Sequence, residues 1–240
     1  MFETWRAHFE ANRSRPLPEV EAPTLPEHQR APLARSMSVF QLGETGEGRI
    51  AKQIDSVELP LVDDDYRASL KMFIAEEGRH SRVLALMVKA LGGQLLHHSW
   101  THHLFVFARG LVGVRFKLLV LLAAEVIAIG FYGVLARVLP PGPMAAALRQ
   151  ICGDERAHFD FHCDFLRGQP AVFRWLWRPI GYAAAITVLF DHRVTLAAFG
   201  VPLSAAAREL FGFVEEAARG MAEGAAPANV AAEQQYRSPA

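Results

Sequence analysis

Apolar residues return at helical spacing in one stretch of the chain after another, which predicts an all-α fold. Phe2, Trp5 and Phe9 share one side of a short helix over residues 2–12 that needs a surface to dock against. Residues 14–34 carry five prolines, Pro16, Pro18, Pro23, Pro26 and Pro32; these forbid a continuous helix and predict an extended arm over the body. From Leu33 to about Leu59 the apolar positions Val39, Phe40, Ile50, Ile54 and Val57 mark a first long helix, ended by Pro60. Asp63, Asp64 and Asp65 suit the start of a second, where carboxylates cap free N–H groups, and Gly92-Gly93 stops it after about Leu91. A third, very apolar helix spans Leu104 to Leu139 and is ended by Pro140-Pro141-Gly142-Pro143. A fourth runs from about Pro143 to Arg167, closed by Gly168 and Pro170. Two more apolar helices follow, about Arg178 to Phe199 and Pro202 to Met221, and the small, polar residues after Gly224 read as disordered.

At 240 residues and 51% hydrophobic, the chain can bury well over half its surface without disulfide support. The expected organisation is an N-terminal arm (1–34), a body of four long helices (35–168), extra C-terminal helices packed on it (169–223) and a tail (224–240). Arm residues are candidates for a homodimer interface. Lysine plus arginine equals aspartate plus glutamate, 25 each, and no basic run stands out, so nucleic acid is not an expected partner. The start, MFETWRAHFEAN, has no apolar signal core and the charge-free runs stop short of a membrane span, which predicts a cytoplasmic protein. Cys152 and Cys163 fall on one predicted helix; a rise of about 1.5 Å per residue sets them too far apart for a disulfide, the pattern of a reducing compartment. Cys152 reads as a small buried hydrophobe one turn before Glu155.

The chemistry lies in a repeat. Glu77-Gly78-Arg79-His80 and Glu155-Arg156-Ala157-His158 are both Glu-x-x-His, and residues three apart share a helix face, so each pair can grip one metal ion. Each pair has an upstream glutamate. The interval from Glu47 to Glu77 equals that from Glu125 to Glu155, which favours Glu47 over Glu44, one turn earlier on nearly the same face. Glu125 sits among leucine, alanine, valine and isoleucine, where a lone ionised carboxylate costs several kcal/mol, so neutrality, pairing or metal binding is required. Glu76 and Asp154, each next to a motif glutamate, are candidates to receive the other N–H of a metal-bound imidazole.

The order Glu, Glu-x-x-His, Glu, Glu-x-x-His resembles the ferritin-like di-iron and di-manganese carboxylate class. Within that class, Ala75-Glu76-Glu77-Gly78-Arg79-His80 followed by Asp154-Glu155-Arg156-Ala157-His158 looks most like the core of acyl-carrier-protein desaturases, with di-iron oxygenases, rubrerythrin and ferritin as wider relatives. The resemblance covers roughly residues 36 to 168. It implies a ferritin-like four-helix bundle and two iron ions, or manganese, held by Glu47, Glu77, His80, Glu125, Glu155 and His158. Glu77 and Glu155 would bridge, and the outer pairing would cross, Glu76 to His158 and Asp154 to His80. The implied activity is oxygen activation with an unidentified electron donor, oxidising, hydroxylating or desaturating an apolar small-molecule or acyl substrate. The rival expectation is a ferroxidase or peroxide scavenger of the ferritin and rubrerythrin kind with no organic substrate.

Glycines inside helices, which cost about 1 kcal/mol relative to alanine, mark a candidate substrate pocket: Gly43 near Glu47, and Gly133 with Ile129 and Tyr132 beyond Glu125. His97, His98, His102 and His103 read as a connection whose histidines face different ways, since no carboxylate or cysteine accompanies them. Asp191-His192-Arg193 reads as a local polar cluster. No G-x-G-x-x-G, P-loop, nucleophile elbow or zinc-type cysteine pair is present.

Overall fold

The computed structural model describes residues 1–45, 48–110 and 113–222, which form ten helices and, among the described residues, no strand. In chain order they are α1 (Phe2–Asn12), α2 (Glu27–Glu44), α3 (Gly48–Asp55), α4 (Asp64–Ala90), α5 (Trp100–Gly110), α6 (Gly113–Val138), α7 (Pro143–Arg167), α8 (Ala171–Asp191), α9 (Arg193–Ala198) and α10 (Leu203–Gly220). The fold is all-α. The tail, residues 224–240, lies outside the described residues.

Several boundaries differ from the sequence expectation. The extended arm ends at Pro26, not at residue 34, because α2 starts at once after it and takes Pro32 into its early turns. A proline there forfeits one backbone hydrogen bond, and the Pro32 carbonyl is occupied by the Thr195 hydroxyl at 2.9 Å. The first long helix is two, α2 ending at Glu44 and α3 beginning at Gly48. The third begins earlier and is also two: α5 ends at Gly110 and α6 begins at Gly113, which sits at φ +32°, a conformation that favours glycine. The helix expected from Arg178 starts at Ala171, runs through Pro179 and gives way to α9 after Asp191. At α4 the expected cap is present: Asp63 Oδ1 accepts from the Tyr66 amide at 2.7 Å.

Helix α6 lies against α7 and α2 against α4, while α4 meets α7 across the middle. α1 docks on α4, burying Phe2, Trp5 and Phe9, and the Trp5 indole donates to Asp164 of α7 at 2.8 Å. α8 and α10 cover α6, and α9 covers α2. α6 is long and apolar enough to cross a membrane, with a mean hydropathy of 2.4, but 94% of that window is buried by the other helices. It is a core helix.

Two apolar clusters fill the interior. One gathers Tyr66, Leu70 and Phe73 of α4 with Leu118 and Leu122 of α6 and Phe161 and Phe165 of α7. The other gathers Leu84 and Met87 of α4 with Leu135 of α6, Leu148 of α7 and Leu33 and Met37 of α2. On α4 and α7 the polar motif falls between the large residues that each helix gives to the two clusters. Glu77 and His80 lie between Phe73 and Leu84, and Glu155 lies between Leu148 and Phe161. The polar centre is therefore set at mid-length, walled by hydrocarbon on both sides.

Candidate metal centre

Both Glu-x-x-His pairs project from mid-helix into the same space. One ligating atom from each of Glu77, His80, Glu155 and His158 lies within 4.8 Å of every other, and all four side chains are buried. His158 Nδ1 stands 2.9 Å from Glu77 Oε1 and 3.1 Å from Glu155 Oε2, and His80 Nδ1 stands 3.0 Å from Glu155 Oε1. Each helix's pair thus faces the other helix's glutamate, an arrangement that lets both carboxylates reach toward both imidazoles.

The remaining sequence candidates divide. Glu125, at the centre of α6, comes within 3.7 Å of His158 Nδ1. Glu76 Oε2 lies 3.2 Å from His158 Nε2, and Asp154 Oδ2 lies 3.4 Å from His80 Nε2, so the outer pairs cross between α4 and α7. Arg15, from the extended arm, donates to Asp154 Oδ1 at 2.6 Å. Glu47 lies outside the described residues. Glu44, at the C-terminal end of α2, faces the cluster: it is hydrogen-bonded to Glu77 and accepts from the Tyr132 hydroxyl at 3.1 Å. Cys152 turns away toward the carbonyl of Ile129, 3.8 Å from its sulfur.

Two residues carry no expectation from the sequence. His162, four residues after His158 and so on the same face of α7, is fully buried, and neither ring nitrogen has a hydrogen-bond partner. Its Nε2 is 3.8 Å from Glu125 Oε1, beyond hydrogen-bond range. Burial, and then the charge of His158, holds this imidazole neutral down to about pH 3. The spacing from His158 was the available signal. Arg15 had none, since its partner is fixed only by how the arm lies.

Charge in the centre is unevenly shared. Burial first, then the carboxylates of Glu77 and Glu155, keeps Glu44 protonated far above the usual carboxylate range, and burial with the same neighbours does so for Glu125. Burial also works to raise Glu77, but contacts with Glu44, His158 and His80 outweigh it and hold that carboxyl well below its ordinary value. His80 and His158 are pushed well above theirs by the surrounding acids, against the opposing effect of burial.

The donor set fits a cation. Glu77 Oε1, His80 Nδ1 and Glu155 Oε1 are sealed from solvent without an aligned hydrogen-bond partner, despite the short approaches above. Each such orphaned group costs about 1–3 kcal/mol. A cation placed among them would answer all three together. The buried Glu77–His80–Glu155–His158 group can therefore bind a metal ion.

A narrow cavity of about 90 Å³ reaches this centre from the side of α5. Glu44, Glu77 and Glu125 line it on the side of the centre, Thr101, His102, Arg109 and His192 add polar groups elsewhere, and Val39, Phe40, Val120, Leu121 and Phe105 are among its apolar residues. Gly43 also lines it, and a Cβ there would meet nothing within 4 Å. The other pocket candidates lie elsewhere. Ile129 is in the apolar core, Tyr132 spends its hydroxyl on Glu44, and Gly133 faces Arg137 and Glu209, both within about 3.5 Å of where its Cβ would be. Gly133 thus serves the packing of α10 on α6. Of the four histidines read as a connection, His97, His98 and His103 are exposed, whereas His102 is half-buried in α5 and lines the cavity. Asp191 and His192 join a buried network: Asp191 pairs with Arg35 at 2.7 Å and His192 Nδ1 lies 2.7 Å from the Ser36 hydroxyl, tying α8 to α2.

No protein-family model matches the chain, and no curated protein or solved structure is significantly similar to it.

Proposed function

We propose that the chain is a ferritin-like di-iron carboxylate protein whose four-helix bundle, α2 with α4 and α6 with α7, activates oxygen to oxidise an apolar organic substrate. The observation that carries this reading is the coincidence of the buried Glu/His centre with the end of an apolar cavity whose wall includes three of the centre's carboxylates. A protein that only stores iron has no use for a narrow apolar approach to its metals; an oxidase of a hydrocarbon-like molecule needs one.

In this reading Glu77, His80, Glu125, Glu155 and His158 hold two iron ions, or manganese, with Glu44 as the donor from α2. Oxygen ligands with one imidazole per metal suit these ions, whereas structural zinc favours cysteine or a closed four-ligand set. When bound, reduced iron supplies the electrons and open coordination positions that oxygen chemistry needs. The chain supplies the rest. Glu76 and Asp154 fix the tautomer of His158 and His80 by taking their outer N–H, so that each Nδ1 faces inward. Arg15 anchors Asp154 for this purpose. Glu44 carries a proton that it shares with Glu77 and can move when the charge of the centre changes. The two flanking apolar clusters exclude water from the ends of the centre.

The test is oxygen consumption by the iron-loaded, reduced protein. The expected outcome is a single uptake of oxygen in rough proportion to the centres present, resumed only when a reductant is supplied. Continued oxidation of added Fe²⁺ with hundreds of ions retained per assembly would instead establish iron storage and overturn the proposal.

A further inference from the structure

The exterior of α5 and α8 departs from the rest of the surface. On α5, Trp100, Leu104 and Phe107 stand at helical spacing on the outward side, while Thr101 and Phe105 turn in to line the cavity. On α8, Val172, Trp175, Ile186 and Phe190 form a second outward stripe, opposite the buried Trp177, Ala185 and Val188. Trp175 is 81% exposed and Phe107 64%, and it is the grouping of such side chains, not any one of them, that marks an interaction surface. The helices touch where the Trp100 indole donates to Asp191 at 3.1 Å, so the stripes adjoin.

The charge on these elements is one-sided. The whole chain balances 25 acids against 25 bases, yet α5, α8 and α9 hold a single acid, Asp191, which is buried and paired with Arg35. They carry Arg174, Arg178 and Arg193, besides Arg109, which lines the cavity. Arg178 is answered by Glu215 of α10, and Arg193 lies 4.1 Å over the Phe190 ring. An apolar stripe with exposed tryptophans, flanked by arginines and without exposed acids, is the composition of a helix lying in a lipid interface.

We infer that the α5–α8 face docks on an anionic lipid surface and sets the side of the cavity lined by His102 and Phe105 toward the bilayer. A second copy of the chain is the poorer occupant, because a self-complementary contact would bring arginines against arginines with no exposed acid on these helices to meet them. The docking stands whether or not the centre holds iron; delivery of an apolar substrate from the bilayer through the cavity rests on the function proposed above.

The test is co-sedimentation of the full chain, iron-loaded and chelator-treated, with vesicles of phosphatidylcholine alone or mixed with phosphatidylglycerol. Both forms should bind the mixed vesicles and bind phosphatidylcholine less. Phe107→Ser, Trp175→Ser and Phe190→Ser combined should reduce partitioning at least about ten-fold, since each removes an aromatic ring from the interface. Arg174→Glu with Arg193→Glu should abolish the preference for the anionic lipid, worth about five-fold for each arginine lost. Melting temperature and iron content should be unchanged in every variant, because none of these side chains reaches the centre. Failure of the native chain to bind either vesicle overturns the inference. So does a native dimer, seen by sedimentation velocity, that the triple serine variant converts to monomer. Vesicle binding by both forms without any oxidation of substrate would remove the proposed function and leave the docking in place.

Discussion

Replacing Asp154 by asparagine keeps the shape of the side chain and removes its charge. Asp154 Oδ2 lies 3.4 Å from His80 Nε2 and Oδ1 accepts from Arg15 at 2.6 Å, so the carboxylate both orients the imidazole and is itself held by the arm. A carboxylate behind a ligating histidine typically contributes 10- to 100-fold in metal affinity. Asparagine can still accept from Nε2, which places Asp154→Asn near about ten-fold weaker binding, or about 1.4 kcal/mol. Asp154→Ala, which leaves the ring without its partner, belongs nearer about 100-fold. The matched change at Glu76, whose Oε2 is 3.2 Å from His158 Nε2, should act on the other histidine. Competition titrations of Fe²⁺ or Mn²⁺ against a chelator measure both constants, and the melting temperature of the metal-free variants separates lost affinity from lost folding. Affinity within two-fold of native in Asp154→Ala, with an unchanged melting temperature, would refute the reasoning and leave Asp154 as no more than an anchor for Arg15.

Glu77→Ala or Glu155→Ala should leave the protein without tightly held metal, which elemental analysis of iron-loaded protein checks directly. Gly43→Leu should fill the cavity and block oxidation of a bulky apolar substrate while iron content stays native. Gly133→Leu should instead push against Arg137 and Glu209 and lower stability by about 1–3 kcal/mol, seen as a fall in melting temperature. His162→Phe, which keeps ring volume but removes both nitrogens, should weaken metal binding at the Glu125 side if that imidazole completes the donor set; unchanged affinity would make His162 a packing residue.

How much of this was legible in the sequence depended on whether the signal was local. The ends of α7 were, since Pro143, Gly168 and Pro170 act within their own turns. So was the cap at Asp63. The Glu-x-x-His pairs were legible because helix geometry alone puts positions three apart on one face. The equal intervals that favoured Glu47 carried a hidden premise, that the helix in front of each motif is unbroken. α2 ends at Glu44, which faces Glu77, and α3 begins at Gly48; Glu47 itself lies outside the described residues. That premise failed for Leu104–Leu139, which apolar periodicity joins although it holds two helices, α5 and α6, with Gly113 at φ +32° at the start of the second. Gly43 and Gly133 show the limit from the other side. An internal glycine signals that a side chain is unwelcome, but only tertiary structure says whether the space belongs to a cavity or to a neighbouring helix. That α1 must dock was legible from Phe2, Trp5 and Phe9 on one side, but where it and Arg15 come to rest was not, because contacts across such separations obey no period.

The charge pattern of the centre leads to a last expectation, on pH. Without a cation, four groups hold protons more tightly in the fold than in the unfolded chain: Glu44 and Glu125, whose ordinary value is 4.5, and His80 and His158, whose ordinary value is 6.5. A raised value stabilises fully below the unfolded value and loses that contribution as pH rises toward the folded one. Glu77 and Glu155, held below 4.5, work the opposite way, but their contribution is complete well before neutrality. Above about pH 6.5 the lowered carboxylates of the centre no longer oppose its four raised groups, so for each proton these retain the metal-free protein should lose up to about 1.4 kcal/mol per pH unit. Cations displace those protons, since ligating oxygen and imidazole nitrogen must be free of them. The loaded protein should therefore escape the decline, and the gap between its melting temperature and that of the metal-free form should widen as pH rises above about 6.5. Calorimetry in buffers of different ionisation enthalpy should record protons released on metal binding. A metal-free melting temperature that stays flat across this range, with no proton release, would show that the acids and histidines of the centre do not share their charge in the way their distances require.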